Sequence, residues 1–214
     1  RLRAELDIPV FHDDQHGTAI VVLAALINAL KLVNKKIEDV RIVVSGVGAA
    51  GNAIIRLLLA QGARDIIGCG RDGALSGDAT EGMHPSRKAL AEATNPRHVH
   101  GSLKEVLKGA DVFIGVSSGN ILDPADIETM ADDAIVFALA NPTPEVDPIG
   151  AGKYAAVVAT GRSDYPNQIN NVLAFPGLFR GLLDAKVKEI TTEVLRVAAV
   201  AIASVISEDE LSPS

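Results

Sequence analysis

The chain has 214 residues, 48% of them hydrophobic, enough to bury a substantial core as one domain or as one domain with an appendage. A formal net charge of -7, with no basic block or aromatic-basic stripe, excludes the electrostatic footprint of a nucleic-acid binder. The single cysteine, Cys69, excludes an internal disulfide, and aromatics at 3% leave Ala, Val, Ile and Leu to build the core, a composition that lets helices lie close on a sheet.

The opening residues, RLRAELDIPV, contain no positively charged segment followed by a signal-like apolar stretch, so a cytoplasmic location is expected. VFHDDQHGTA, residues 10–19, then sets two aspartates and two histidines ahead of the apolar run Ala19 to Leu30. Asn28 interrupts that run, which falls short of the ~20 residues a bilayer span requires. A buried helix over Ala19 to Val33 is predicted, with no membrane association. After a polar turn at 34–39, RIVVSG (41–46) is a β-branched strand, GVGAAG follows, and Asn52 to Gln61 reads as a helix stopped by Gly62. DIIGC (65–69) is a second strand. From Gly70 to His100 the chain is loop-rich, with a helix over Pro85 to Ala93. Ser102 followed by Glu105 forms a capping-box pattern for a helix through Lys108. DVFIGVS (111–117) is a strand, and DPADIETM starts a helix with Asp123 as cap and Pro124 at its first position. AIVFALA (134–140) and AAVVATG (155–161) are further strands, and helices are predicted from Pro176 to Lys186 and from Thr191 to Ile206.

Strands alternating with helices imply right-handed crossovers and an α/β, Rossmann-type doubly wound fold with a mainly parallel sheet. The expected organisation is a segment and helix over 1–30, a dinucleotide-binding domain over 31–185 and a C-terminal helix over 186–214.

Gly46, Gly48 and Gly51 fit G-x-G-x-x-G, leaving a strand and opening a helix. Gly46 permits the tight turn, Gly48 lets main chain approach a pyrophosphate, and Gly51 lets helix and strand pack; the helix N-terminus offers unpaired N–H groups. Gly46, Val47, Gly48, Ala49, Ala50 and Gly51 are therefore candidate cofactor-binding residues. A ligand-free glycine turn is the plainer alternative, but the order strand, loop, helix favours the dinucleotide. An acid that would read the ribose is expected ~20 residues on. Gly70 stands there, with Arg71 beside it, which suits the 2′-phosphate of NADP; Asp72, two positions later, suits NAD instead, and the choice stays open with a lean toward NADP.

Asp13 or Asp14 could cap the following helix, although Thr18 could serve unaided. Carboxylates also suit a hard divalent cation that keeps water or substrate oxygens as its other ligands. His12 and His16, four apart, suggest zinc only weakly, because no further His or Cys cluster accompanies them.

FHDDQHGTA, SGVGAAG, ANPTPE and NQINNVLAFPG, in this order, resemble the malic enzyme family, particularly its bacterial members. The resemblance implies a Rossmann-type domain and oxidative decarboxylation of malate to pyruvate and CO2, with reduction of NAD or NADP and assistance from Mg2+ or Mn2+. It assigns Asp14 as a metal ligand and Asp13 as the residue beside the catalytic lysine. It places Thr18 near the cofactor, and Asn141 and Asn171 facing nicotinamide and substrate carboxylate. Read without it, Asn141 starts a turn before Pro142 and Asn171 satisfies loop main chain.

The resemblance covers only the cofactor-binding half. The family's earlier domain, which supplies a tyrosine acid, a lysine base and two further acidic metal ligands, has no matching positions, so the chain is expected to be truncated and inactive alone. Tyr154 and Tyr165 lie outside matching contexts, and Lys31, Lys35 and Lys36 read as surface lysines. A homo-oligomer is expected. The competing reading is a non-catalytic dinucleotide-binding module.

Overall fold

The computed structural model describes residues 2–213. A short helix, α1 (Leu2–Glu5), precedes one turn of π-helix at Asp13–Gly17 that runs directly into α2 (Thr18–Leu32). Next come β1 (Arg41–Ser45), α3 (Ala49–Gln61), β2 (Asp65–Gly70), β3 (Gly73–Ala74), α4 (Pro85–Ala93) and α5 (Leu103–Leu107). The second half runs β4 (Val112–Gly115), α6 (Pro124–Glu128), β5 (Ala134–Ala138), α7 (Pro148–Ala151), β6 (Ala155–Thr160), α8 (Phe175–Asp184) and α9 (Thr192–Ala203).

The six strands form one sheet in the order β3-β2-β1-β4-β5-β6, parallel throughout except for the β2/β3 pair. This is the doubly wound Rossmann order with a two-residue antiparallel edge. Because side chains alternate along a strand, the sheet feeds two cores. Ile42, Val44, Ile114 and Phe137 pack under α2, α3 and α9, while Val43, Phe113 and Val136 pack with Val106 and Leu107 of α5 and Ile127 of α6 on the other side. Phe113 and Phe137 are the largest fully buried side chains, each contributing roughly 1.5–3 kcal/mol through burial.

Local signals behaved as local chemistry dictates. The capping boxes Ser102/Glu105 and Asp123/Asp126 are both formed, and Thr191 caps α9 through its side chain. The polar Asn28 on α2 has a purpose: its Nδ2 donates to the Ala203 carbonyl at the end of α9, 3.0 Å away. Asp111 accepts the Arg41 N–H and the Lys35 ammonium, each at 2.8 Å, and so ties the polar turn after α2 to the start of β1 and β4.

The start of α2 differs from expectation. Thr18 is not a cap, because Gly17 and the DDQH residues before it are already helical, with His12 at the N-cap. The joined helix Asp13–Leu32 is 20 residues long, enough by length and composition to cross a bilayer. Ile20, Val22, Leu23 and Leu26 within it are fully shielded, and it packs as a core helix. The helix after the glycines also starts earlier than predicted, at Ala49, since the second half of the glycine motif forms its first turn.

The loop between β3 and α5 borders the sheet's C-terminal edge and is latched by Asn95. This residue is fully buried at φ 52°, a left-handed conformation Asn tolerates. Its Nδ2 donates to the Leu75 and Val99 carbonyls, and its Oδ1 accepts the Val99 N–H. Asn95→Ala leaves these buried groups unpaired and is expected to cost about 2–4 kcal/mol. The urea midpoint should fall accordingly at unchanged m; a loss well under about 1 kcal/mol would show that the loop holds itself.

Candidate functional site

In an open parallel sheet the ligand crevice lies beyond the carboxyl ends of the strands, where connections depart to opposite sides. Here that point is between β1 and β4, which are paired from Ile42/Val112 to Ser45/Gly115. Gly46, just past β1, has φ 98°, and a methyl on it would stand 2.6 Å from the Val116 carbonyl oxygen. A methyl on Gly51 would overlap the Gly46 carbonyl oxygen itself. These two positions seat the first turn of α3 directly on the seam. At Gly48 nothing lies within 4 Å of where a Cβ would project, and no side chain caps the helix. The opening amides of α3 therefore have no side-chain cap, and the backbone at Gly48 can be approached closely, as anion binding at a helix N-terminus requires. The residues present fit a dinucleotide pyrophosphate.

Two clefts flank Ser117 at the tip of β4. The larger, about 700 Å3, is lined by Ser45, Gly46, Val47, Gly48, Cys69, Gly70, Arg71, Asp72 and Arg87 among others. The smaller, about 350 Å3, is lined by Asp14, Thr18, Ala50, Leu139, Asn141, Asn170 and Asn171 among others. Ala49 lines a third hollow, with Val47, Gly48, Asn52 and Arg56. Cys69 is an inert wall: burial pushes its thiol up to about 12, so it stays neutral.

The floor between the clefts is held by a residue that the sequence did not single out. Glu145 is fully buried, and its carboxylate accepts the Ser117 N–H at 2.8 Å and the Ala140 N–H at 3.0 Å. It fills the space beside Gly115, where a side chain would collide with it. One carboxylate thus fixes the turns leaving β4 and β5. Burial raises its pKa, opposed by the N–H donors of Ser117 and Ala140.

The tandem acids occupy the π turn, and neither makes a side-chain capping bond there. Asp14 is exposed and lines the smaller cleft. Asp13 is half-buried; its Oδ2 accepts from Nδ2 of Asn171, while its Oδ1 is buried without a hydrogen-bond partner. Burial first, then the neighbouring Asp14 charge, raises the Asp13 pKa. An orphaned buried carboxylate oxygen and an exposed neighbouring acid suit a cation or a basic group from outside the chain. Among the described residues no three His, Cys, Asp or Glu side chains converge as a metal site, so the chain supplies at most part of a coordination shell. His16 is otherwise engaged: its Nδ1 accepts the His12 N–H at 3.0 Å, and its ring packs 5.2 Å from Phe11.

The structure thus brings Asp14, Thr18, Ala50, Asn141 and Asn171 to one cleft, and Gly46, Val47, Gly48 and Arg71 to the adjoining one. Asn171 serves Asp13, whereas Asn170 caps the turn after it by accepting the Val172 N–H. Tyr165 packs under Arg162 at 5.4 Å, and neither Tyr154 nor Tyr165 lines either cleft. Lys31 and Lys35 pair with Glu208 and Asp111. The tyrosines and lysines therefore have no place at the acids.

The family described as "Malic enzyme, NAD binding domain" matches residues 15–214. The NAD-dependent malic enzyme of Geobacillus stearothermophilus is 59% identical over 99% of the chain, which spans 44% of that protein. The NADP-dependent malic enzyme of Haemophilus influenzae is 44% identical over 98% of the chain and 28% of its own length. Among solved structures, the malic enzyme of Entamoeba histolytica superimposes with a TM-score of 0.93 at 38% identity, covering 99% of this chain and 45% of that one. The chain spans less than half the length of these relatives.

A carboxyl whose pKa is raised by folding stabilises the fold fully below its unfolded pKa and loses that contribution as pH rises through the folded value. For Glu145 the sign is therefore a decline in stability from the ordinary carboxylate range upward. Wild type minus Glu145→Gln in unfolding free energy is expected to shrink as pH rises from the ordinary carboxylate range, about pH 4, toward the raised value in the fold. Asp13 has the same sign and cancels in the difference. A pH-independent difference would show that Glu145 titrates alike in both states.

Proposed function

Since the chain belongs to the malic enzyme family, as its NAD-binding domain, we propose that the whole protein oxidises and decarboxylates malate to pyruvate and CO2 with reduction of NAD or NADP, in the presence of Mg2+ or Mn2+. The observation that carries this reading is the convergence of Asp14, Asn141 and Asn171 on one cleft, joined at Ser117 to the cleft of the glycine turn.

The division of labour follows from position. The amides of Gly48 to Gly51 take the pyrophosphate without adding a counter-charge. Asn141, at the end of β5, orients the nicotinamide amide and the substrate carboxylate as a neutral donor and acceptor. Asp14 offers an anionic oxygen ligand, and Asn171 holds Asp13 beside it. A divalent cation bound there would draw electrons from the substrate's oxygens as CO2 leaves. The hydroxyl proton must pass to a base, and the carbon that loses CO2 must regain a proton. Among the described residues no lysine or tyrosine lines the cleft, so in this reading those two groups are supplied from outside this chain.

A second reading, a dinucleotide-binding module without chemistry, draws on the absence of a complete metal cluster among the described residues. The whole native protein, given malate, Mn2+ and either coenzyme, is expected to form NAD(P)H and pyruvate together; coenzyme binding without pyruvate would favour the module. Asp14→Asn is expected to weaken Mn2+ binding and turnover by at least about 10-fold. Retained Mn2+ affinity would return Asp14 to a surface role.

A further inference from the structure

Gly70 ends β2, the place from which a carboxylate would bond the 2′-hydroxyl of a dinucleotide's adenosine ribose. The space its side chain would need is already taken: a Cβ on Gly70 would overlap Nη2 of Arg87, which reaches across from α4. A guanidinium therefore stands where an acid would otherwise project, with the opposite charge. Its Nε is buried and makes no hydrogen bond with any described atom. Its Nη2 approaches only Asp72, at 3.5 Å, and that carboxylate side chain is 86% exposed. Such a pair is heavily screened by water and holds the guanidinium weakly. Arg71 lines the same cleft, and Asp72 is the sole acid there.

We propose that Arg87 reads the 2′ position of the adenosine ribose and, together with Arg71, gives the site a preference for NADP over NAD; this rests on the dinucleotide reading of the cleft given above. A 2′-phosphate carries close to two negative charges and three acceptor oxygens, which suit the planar donor fork of an arginine. A bare 2′-hydroxyl offers Arg87 one neutral oxygen and no negative charge to pair with its guanidinium. The relative at 59% identity is named NAD-dependent and the one at 44% NADP-dependent, so family membership alone does not fix the preference and the test rests on the local charge.

The test measures Kd for NADPH and NADH by fluorescence titration of the whole native protein and of Arg87→Gln, Arg87→Lys and Arg71→Gln, with 2′,5′-ADP and 5′-ADP as competitors. The wild type is expected to bind NADPH more tightly, and Arg87→Gln to raise the NADPH-to-NADH Kd ratio on the order of 10-fold or more. Arg87→Lys should recover part of that ratio, because charge persists without the fork. The advantage of 2′,5′-ADP over 5′-ADP should vanish in Arg87→Gln. The proposal is overturned if the wild type favours NADH. It is overturned equally if Arg87→Gln weakens both coenzymes alike, as stacking on adenine would, or if only Arg71→Gln moves the ratio. Binding of neither coenzyme would instead sink the dinucleotide reading itself.

Discussion

The contact between the Gly46 carbonyl and the α-carbon of Gly51 is the constraint on which the site depends. It presses the first turn of α3 onto the seam of β1 and β4, leaving no room for even one methyl group. Moving the helix outward to admit one would withdraw its amides from the crevice and open the buried contacts of Ile54, Ile55 and Leu58 beneath it. For a fold whose net stability is of order 5–15 kcal/mol, that displacement is large. The close approach therefore serves two ends, packing the helix on the sheet and aiming its N-terminus.

Around that seat the polar groups form a consistent electrostatic design. The chain is acidic overall, with net charge -7, so an anionic ligand must be drawn by local features. The uncapped N-terminus of α3 supplies one, and Arg71 and Arg87 supply the others at the far side of the same cleft. Asp14 puts negative charge in the smaller cleft, with Asp13 beside it on the π turn, while the larger cleft has the single exposed acid Asp72 against its two arginines. Glu145 lies between these regions but is spent internally on main-chain N–H groups. One buried brace thus stands where the two clefts adjoin.

What the sequence displayed was what neighbouring residues decide. The β-branched runs of β1, β4 and β5, the Ser102 and Asp123 boxes and the glycine turn are all written within a few positions of the structure they make. What it concealed depends on distant partners. The two-residue β3 exists only because Gly73 turns back on Gly70, and α7 is a single turn behind Pro148. Asp13 and Asp14 look like caps until the π turn makes them part of the helix. Glu145 ends a motif that reads as a turn, yet its partners lie on two other strand ends. Arg87 belongs to no motif, and only the fold of the intervening loop places it over Gly70.

The bond from Asn171 to Asp13 joins residues 158 positions apart, and the bond from Asn28 to Ala203 spans 175. Contacts of such high order carry a loop-closure cost that has to be met before they contribute. The glycine-turn cleft is lined by residues between Ser45 and Ile121 with its Ser117 wall resting on Glu145, whereas the acidic cleft draws Asp14, Asn141 and Asn171 together. Neither hollow is therefore the product of one local stretch: the larger leans on a carboxylate from beyond β5, and the smaller exists only where residues near the start of the chain meet residues past position 140.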